Sequence, residues 1–226
     1  RVGQGEHWWE NFEQALDWIL EPMGITWQNF KKMGYIRGEV INQKYKVKGF
    51  STPSRKFELY STLLEKWGYD ALPQYREPPE SPYSTPERFN DYPYILITGR
   101  RLPGFFHTEN RQIPWLRELH RDPIVEIHPR TAEKEGIQAG DWVVIESPRG
   151  RVRQRAKLFE GMDPRVVSAE HAWWFPENKN PGHGWDVSNV NFLTDNAYET
   201  CDPAMGATHI RTLLCKIYPE NQGGGA

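Results

Sequence analysis

Between Ala71 and Pro93 the chain carries Pro73, Pro78, Pro79, Pro82, Pro86 and Pro93. Each proline removes a backbone N–H and fixes φ, so this density opposes helix and breaks sheet pairing. The stretch reads as an extended, stiff linker over 71–93 that divides the chain into two parts with different grammars. Before it the pattern is helical; after it come short strands and turns.

In the first part, residues 1–70, Glu6 to Leu20 places Trp8, Trp9, Phe12, Leu16 and Ile19 at helical spacing, and Glu21-Pro22-Met23-Gly24 ends the run. Thr26 caps a second helix through Lys32, closed by Gly34. Tyr45 to Phe50 reads as a strand, Ser51 to Ser54 as a turn, Lys56 to Leu59 as extended, and Ser61 to Trp67 as a helix stopped by Gly68.

The second part, 94–219, opens on the apolar strand Tyr94-Ile95-Leu96-Ile97-Thr98. Strands follow at Ile124–Ile127, Trp142–Glu146, Arg151–Leu158, Val166–Ala169 and Arg211–Tyr218, with a short helix opened by His128-Pro129 and closed by Gly136, and a hairpin turn at Pro148-Arg149-Gly150. Arg151 to Leu158 alternates, with Val152, Gln154, Ala156 and Leu158 on one face and Arg151, Arg153, Arg155 and Lys157 on the other. His171 to Asn191 reads mostly as loop, and the tail over 220–226 as mobile. Short strands separated by turns, with one small helix, predict a compact β-barrel.

Charge excludes some functions. Lys plus Arg number 28 against 30 Asp plus Glu, a net charge of −2, so neither nucleic acid nor an anionic membrane is favoured by the global field. Mean hydropathy is −0.76 and no apolar run reaches a membrane span's length. Ten Trp, ten Tyr and ten Phe argue against disorder. Cys201 and Cys215 are the only cysteines, too few for a four-Cys zinc or iron–sulfur site. The chain opens on Arg1 rather than Met, without a basic, apolar leader, and is expected to be a piece of a longer protein.

Thr98-Gly99-Arg100-Arg101 follows directly on a strand. Glycine lets a ligand approach backbone N–H groups, and an arginine adds bidentate contacts to an anion; the plain alternative is a turn with two solvated arginines. The histidines 107, 120, 128, 171, 183 and 209 show no His-Glu-x-x-His pattern, which argues against a zinc hydrolase. The basic strand face is either a phosphate track or a solvated face guarded against edge pairing. Trp173-Trp174-Phe175 must cover something: the core, the linker, a planar ligand or another domain. A carbohydrate platform is a further reading of the tryptophans. No Walker loop, Rossmann fingerprint or nucleophile elbow occurs, and no catalytic or metal-ligating residue is assigned.

Four blocks over Tyr94 to Tyr218 carry a resemblance. They are Ile97-Thr98-Gly99-Arg100 with His107-Thr108-Glu109-Asn110; His128-Pro129-Arg130-Thr131-Ala132 with Gly140-Asp141-Trp142-Val143 and Pro148-Arg149-Gly150; Glu170-His171-Ala172-Trp173-Trp174; and Asn191-Phe192-Leu193-Thr194 with Cys201-Asp202-Pro203, Gly206 and Arg211. Their order and spacing resemble the C-terminal dinucleotide-binding domain of the molybdopterin oxidoreductases of dimethyl sulfoxide reductase type, and residues 45–80 resemble the stretch before it. Two departures occur: His128 stands where the family often has Asn, and Ala207-Thr208-His209 replaces a Pro-containing stretch.

The resemblance implies a mainly β fold, a double-psi β-barrel preceded by an α+β N-terminal segment and the Pro-rich linker. It implies a cofactor of two molybdopterin guanine dinucleotides per molybdenum or tungsten. Thr98, Gly99 and Arg100 would cradle a pterin or its phosphates; His107, Thr108 and Glu109 would lie at the pterin end; Asn191 would read a ring edge and Gly206 would allow close approach. The iron–sulfur Cys motif and the metal-ligating side chain would lie in N-terminal catalytic domains of the same protein. Those domains, and possible electron-transfer subunits, are the implied partners, in a prokaryotic cytoplasm or periplasm. The chain alone is expected to be inactive and to expose an apolar surface through Trp8, Trp9, Trp18 and the aromatic loop. Related members hydrate or transhydroxylate without net redox change, and double-psi barrels also serve as protein-interaction modules.

Overall fold

Asn11 fixes where regular structure begins. Its side-chain oxygen accepts from Gln14 N at 3.0 Å, which caps α1 (Phe12–Leu20), so the helix expected from Glu6 starts later. The computed structural model describes residues 8–99, 102–202 and 204–220. Arg100, Arg101, Pro203, the first residues of the expected α1 and the tail from 221 lie outside the described residues.

The chain divides into two compact units, one ending at Thr62 and the other starting at Leu63. In the first, Gly24 at φ +65 closes the turn after α1, and Thr26 caps α2 (Trp27–Met33) by accepting from Asn29 N at 3.2 Å. Asp17 joins the two helices by accepting from Trp27 N at 2.5 Å. The expected strand at Tyr45 to Phe50 is instead a helical turn, α3 (Tyr45–Lys48). Gly49 at φ +70 ends it, and Phe50 folds back to stack on Tyr45 at 5.1 Å, so the alternation read as a strand reports a local aromatic pair. Leu20 is the one buried hydrophobic among this unit's described residues, while Trp8, Phe12, Trp18 and Ile19 face outward.

In the second unit, α4 (Thr62–Lys66) is the helix expected before Gly68. The Pro-dense stretch is not free of helix: α5 (Pro86–Asp91) forms within it. Pro86 occupies the first helical position, where the missing N–H has no intrahelical partner to lose. The stretch is also packed, since Glu80 and Ser81 are buried. The Glu80 carboxylate accepts from the Arg149 fork at 2.8 and 3.0 Å, from Arg88 at 2.8 Å and from Leu214 N at 2.6 Å.

Six strands then close a double-psi β-barrel: β1 (Tyr94–Ile97), β2 (Ile124–Ile127), β3 (Trp142–Ser147), β4 (Gly150–Leu158), β5 (Val166–Ala169) and β6 (Leu213–Pro219). Their order around the barrel is β1-β5-β2-β4-β3-β6, with β1/β5 and β2/β4 parallel and the other pairs antiparallel. The short helices α6 (Pro114–Leu119), α7 (Pro129–Lys134) and α8 (Trp185–Ser188) lie in the connections. His128 caps α7 with its ring, Nδ1 accepting from Arg130 N at 3.0 Å, the role the family's Asn would serve. α6 and α8 were not visible in the sequence as helices.

The core is the barrel interior, where Leu96, Val125, Ile127, Val143, Ile145, Val167 and Leu213 are buried. β4 alternates as expected through Ala156, but Leu158, expected inside, is exposed at the strand's end. Gln154 is fully buried, and its amide is satisfied: Oε1 accepts from Glu170 N at 2.9 Å, and Nε2 donates to Glu170 O at 2.7 Å and Ser188 O at 3.1 Å. The basic outer face is a row of ion pairs, Arg153 with Glu220, Arg155 with Asp122 and Lys157 with Glu126, and Arg153 and Arg155 lie over the Trp142 ring. Those pairs neutralise the stripe and support the solvated-face reading over a phosphate track.

Candidate functional site

The loop after β1 crosses the outer face of β5. The β1/β5 register pairs Ile97 with Ser168, which brings Gly99 over the serine side chain. Gly99 has φ +59, and a Cβ there would stand 2.7 Å from Ser168 Oγ, so conformation and contact both require glycine. Thr98 is buried beside it. Beneath this loop a cavity of about 510 Å³ runs along the barrel wall, lined by Thr98, Gly99, Glu126, Lys157, Ser168 and Glu170 among others.

The continuation of this loop is held by Arg111, which is 2% exposed. Its Nη1 donates to the carbonyls of His107 at 2.6 Å and Glu109 at 3.3 Å, and its Nη2 donates to His171 O at 3.5 Å. The guanidinium lies between the rings of Phe105 and Trp173, 5.0 and 4.7 Å from their centroids. Glu170, 3.5 Å away, compensates the charge and also contacts His120 Nε2 at 2.8 Å and Ile124 N at 3.1 Å. Burial pulls the Arg111 pKa below its ordinary value, and Glu170 opposes that. Trp173 thus belongs to this buried cluster.

The clamp holds strained backbone. His107, Asn110 and Ala172 have φ of +50, +72 and +60 without being glycine. The His107 and His171 rings meet edge to face at 5.5 Å. His171 bonds to the Thr98 backbone, while its buried Nδ1 has no partner among the described residues. Burial holds the His171 pKa below 6.5, with His107 and Arg111 adding to the effect, so the ring is mainly neutral at pH 7.

Thr108 joins this region to a second one. Its carbonyl accepts from Trp174 Nε1 at 2.6 Å, and together Thr108, Trp174, Gly182, His183, Trp185 and Asn189 border an open slot of about 450 Å³. Asn189 Oδ1 accepts from Asn191 N at 3.0 Å and starts a one-turn 3-10 helix, Val190–Phe192. Of the sequence-predicted residues, Thr108 borders this slot, and Asn189, two residues before Asn191, borders it from the other side. Glu109 and Asn191 are exposed and are not among the residues that border it. Gly206 is not brought in: it sits at φ +65 in an exposed turn closed onto Asp202 O at 2.7 Å, and an added Cβ would meet nothing within 4 Å among the described residues.

This donor set suits a large anionic ligand with hydrogen-bonding rings. It offers a glycine cradle, a buried imidazole nitrogen without a partner among the described residues, carboxylates able to accept from amino and ring N–H groups, and an aromatic slot. Among the described residues no cluster of His, Cys, Asp and Glu forms a metal site, and no helix is long and apolar enough to cross a membrane.

The family description "Molydopterin dinucleotide binding domain" matches residues 94–210. The chain belongs to that family. A dopamine dehydroxylase of Eggerthella lenta is 45% identical over 76% of this chain and 17% of its own length. An acetylene hydratase of Syntrophotalea acetylenica is 32% identical over 96% of this chain and 31% of its own. The solved structure of acetylene hydratase from Pelobacter acetylenicus superposes with a TM-score of 0.80 at 30% identity, covering 96% of this chain and 31% of that one. The chain thus spans less than a third of the length of these relatives. As a member of this family, the barrel is a molybdopterin dinucleotide-binding domain. Sequence reasoning named the loop residues but gave no role to Arg111, Ser168, His183 or Trp185. The Glu170-to-Trp174 block pointed to His171 and Trp174, while the buried arginine left no signal.

Proposed function

We propose that this chain closes over and positions a bis(molybdopterin guanine dinucleotide) cofactor in a larger molybdenum or tungsten oxidoreductase, and is not catalytic alone. The metal, when bound, supplies the redox or Lewis-acid chemistry. Thr98 and Gly99, with Arg100 beside them, take the pterin or its phosphates; His107, Thr108 and Glu109 take the pterin end, and Asn191 a ring edge. Gly206 fits a backbone-approach role less well, because its turn borders neither cavity among the described residues. The observation that carries the reading is Gly99: its positive φ and its closeness to Ser168 press the loop onto the wall of a cavity whose lining sets Thr98, Ser168 and Glu170 beside the apolar Ile124, Phe159 and Ala169. The other catalytic domains, with any iron–sulfur cluster, belong to the remaining part of the protein, and they cover the exposed aromatics around Trp8 and Trp18.

The test is to purify the whole protein from a molybdenum-replete host and measure metal and pterin. Stoichiometric pterin is expected; protein free of both pterin and metal rules the reading out. A non-redox hydratase is the second reading, favoured by the likeness to acetylene hydratase over nearly the whole chain. Turnover with an alkyne in the absence of any electron donor or acceptor distinguishes it from an oxidoreductase.

A further inference from the structure

We propose that Arg111 is a positioning residue: its buried guanidinium ties the loop after β1 to the loop after β5 and so fixes His107, Thr108 and Glu109 against His171 before a ligand arrives, a role that rests on the function proposed above. Arg111 itself touches no ligand; it acts through the backbone of the two loops.

The side chain joins stretches that lie 60 residues apart in the chain. Nη1 donates to the carbonyls of His107 and Glu109, and Nη2 to that of His171. Each of the three carbonyls belongs to, or adjoins, a residue with positive φ: His107 itself, Asn110 after Glu109, and Ala172 after His171. Backbone of that kind is costly outside glycine and persists only where the surroundings hold it. A second tie runs the same way, since Trp174 Nε1 donates to Thr108 O at 2.6 Å. Asn110 closes the loop on itself, its Nδ2 donating to Gly104 O at 3.1 Å.

Packing alone accounts poorly for an arginine at this position. A cation so deeply buried needs close compensation, yet the nearer Glu170 oxygen stands 3.5 Å away, and the other is taken by His120 Nε2 and Ile124 N. Arg111 Nε has no partner among the described residues. An apolar side chain between Phe105 and Trp173 would avoid both costs. It could not bond carbonyls on two loops at once. A planar fork presents spaced donors for that task, whereas the ammonium of lysine offers a single point. Arg117 supplies the contrast: it lies 5.0 Å from the same Trp173 ring but pairs with Glu177 at 2.9 Å. The group that reports the arrangement is His171. Its ring bonds to the Thr98 backbone, and the titratable or charged groups facing it are His107, Glu170 and Arg111. Burial is the main cause that keeps it neutral, so opening of the loop lets water in and makes protonation easier.

The experiment uses the whole protein in two preparations. In protein from a host unable to make pterin, His171 is titrated by NMR of labelled imidazoles, its signal assigned by its loss in His171→Gln. In protein from a molybdenum-replete host, pterin is measured as its fluorescent oxidation product. Arg111→Lys keeps the positive charge and removes the fork. It should move the His171 midpoint up towards 6.5 and lower pterin content about tenfold when cofactor is limiting, the effect of roughly one lost charge-assisted hydrogen bond. Arg117→Lys should leave both at wild-type values. An unmoved His171 midpoint in folded Arg111→Lys overturns the proposal. An equal shift in Arg117→Lys also overturns it, because the effect then comes from packing on Trp173. A shifted midpoint with undiminished pterin overturns it as well, since the loop then moves without consequence for the ligand. If Arg111→Lys does not fold, Phe105→Leu, which strips one ring from the guanidinium, takes its place, and an unmoved midpoint there overturns the proposal. Wild-type protein without pterin overturns the proposed function instead, and the His171 midpoint, which needs no ligand, still decides the role of Arg111.

Discussion

Removing the Glu80 carboxylate tests how the Pro-dense segment is fastened to the barrel. The side chain is 8% exposed and accepts from both Arg149 Nη atoms, from Arg88 and from Leu214 N. In Glu80→Ala the Leu214 N–H on β6 loses its acceptor inside the structure, which costs about 1–3 kcal/mol. Arg149, with 19% of its side chain exposed, also loses its nearer counter-charge and keeps only Asp195 at 3.7 Å, whereas Arg88, 41% exposed, recovers water and adds little. The sum is about 3 kcal/mol, equivalent to a fall in Tm of about 6–12 °C for a domain of this size. Glu80→Gln keeps one acceptor and should lose about half as much. Burial alone raises the Glu80 pKa, but the Arg149 fork, Leu214 N–H and Arg88 outweigh it and hold the carboxyl below 4.5. A depressed folded pKa means that the contribution is full above 4.5 and fades as pH falls through the folded value. The gap between wild type and Glu80→Gln should therefore narrow in acid. Thermal melting followed by tryptophan fluorescence between about pH 3 and pH 7 reads both effects. A Tm for Glu80→Ala within about 2 °C of wild type at pH 7 would refute the reasoning.

Three further outcomes are expected. Gly99→Ala should cost about 2 kcal/mol through its positive φ and lower pterin content in the whole protein; adding Ser168→Ala removes the Oγ contact and should restore part of the stability, and no recovery argues against the contact. His171 has a folded pKa below its unfolded 6.5, so stability should drop as pH falls through 6.5, and His171→Gln should flatten that slope in denaturant midpoints measured from about pH 8 to pH 5.5. Gln154→Leu takes the amide donor from Glu170 O and Ser188 O inside the barrel, while Glu170 N keeps Ile124 O at 3.1 Å, and should cost about 1–3 kcal/mol by urea unfolding; a neutral result would mean that water replaces the amide.

The barrel was largely legible because its strands announce themselves locally. Period-two alternation in β4, the apolar run of β1 and the glycine or proline turns between strands each arise from neighbours in sequence. The errors lie where a local signal met a stronger local rule. Tyr45 to Phe50 alternated like a strand, but Gly49 and an aromatic stack made a helical turn. Proline density argued against helix, yet Pro86 sits at the one helical position that tolerates it. The site divides the same way. Gly99 was visible because glycine after a strand has a conformational meaning. Arg111 was not, because its partners lie at His107, Glu109, Trp173, Glu170 and His171, and only the closed structure collects them.

The wiring of the sheet sets a timetable for biosynthesis. β1 is the first strand of the barrel in chain order, yet it hydrogen-bonds to β5 and β6, the last two of its six. The Thr98–Gly99 loop has no wall to rest on until Ser168 arrives, and the cylinder stays open until Leu213–Pro219 has been translated. Such late, long-range closure is slow.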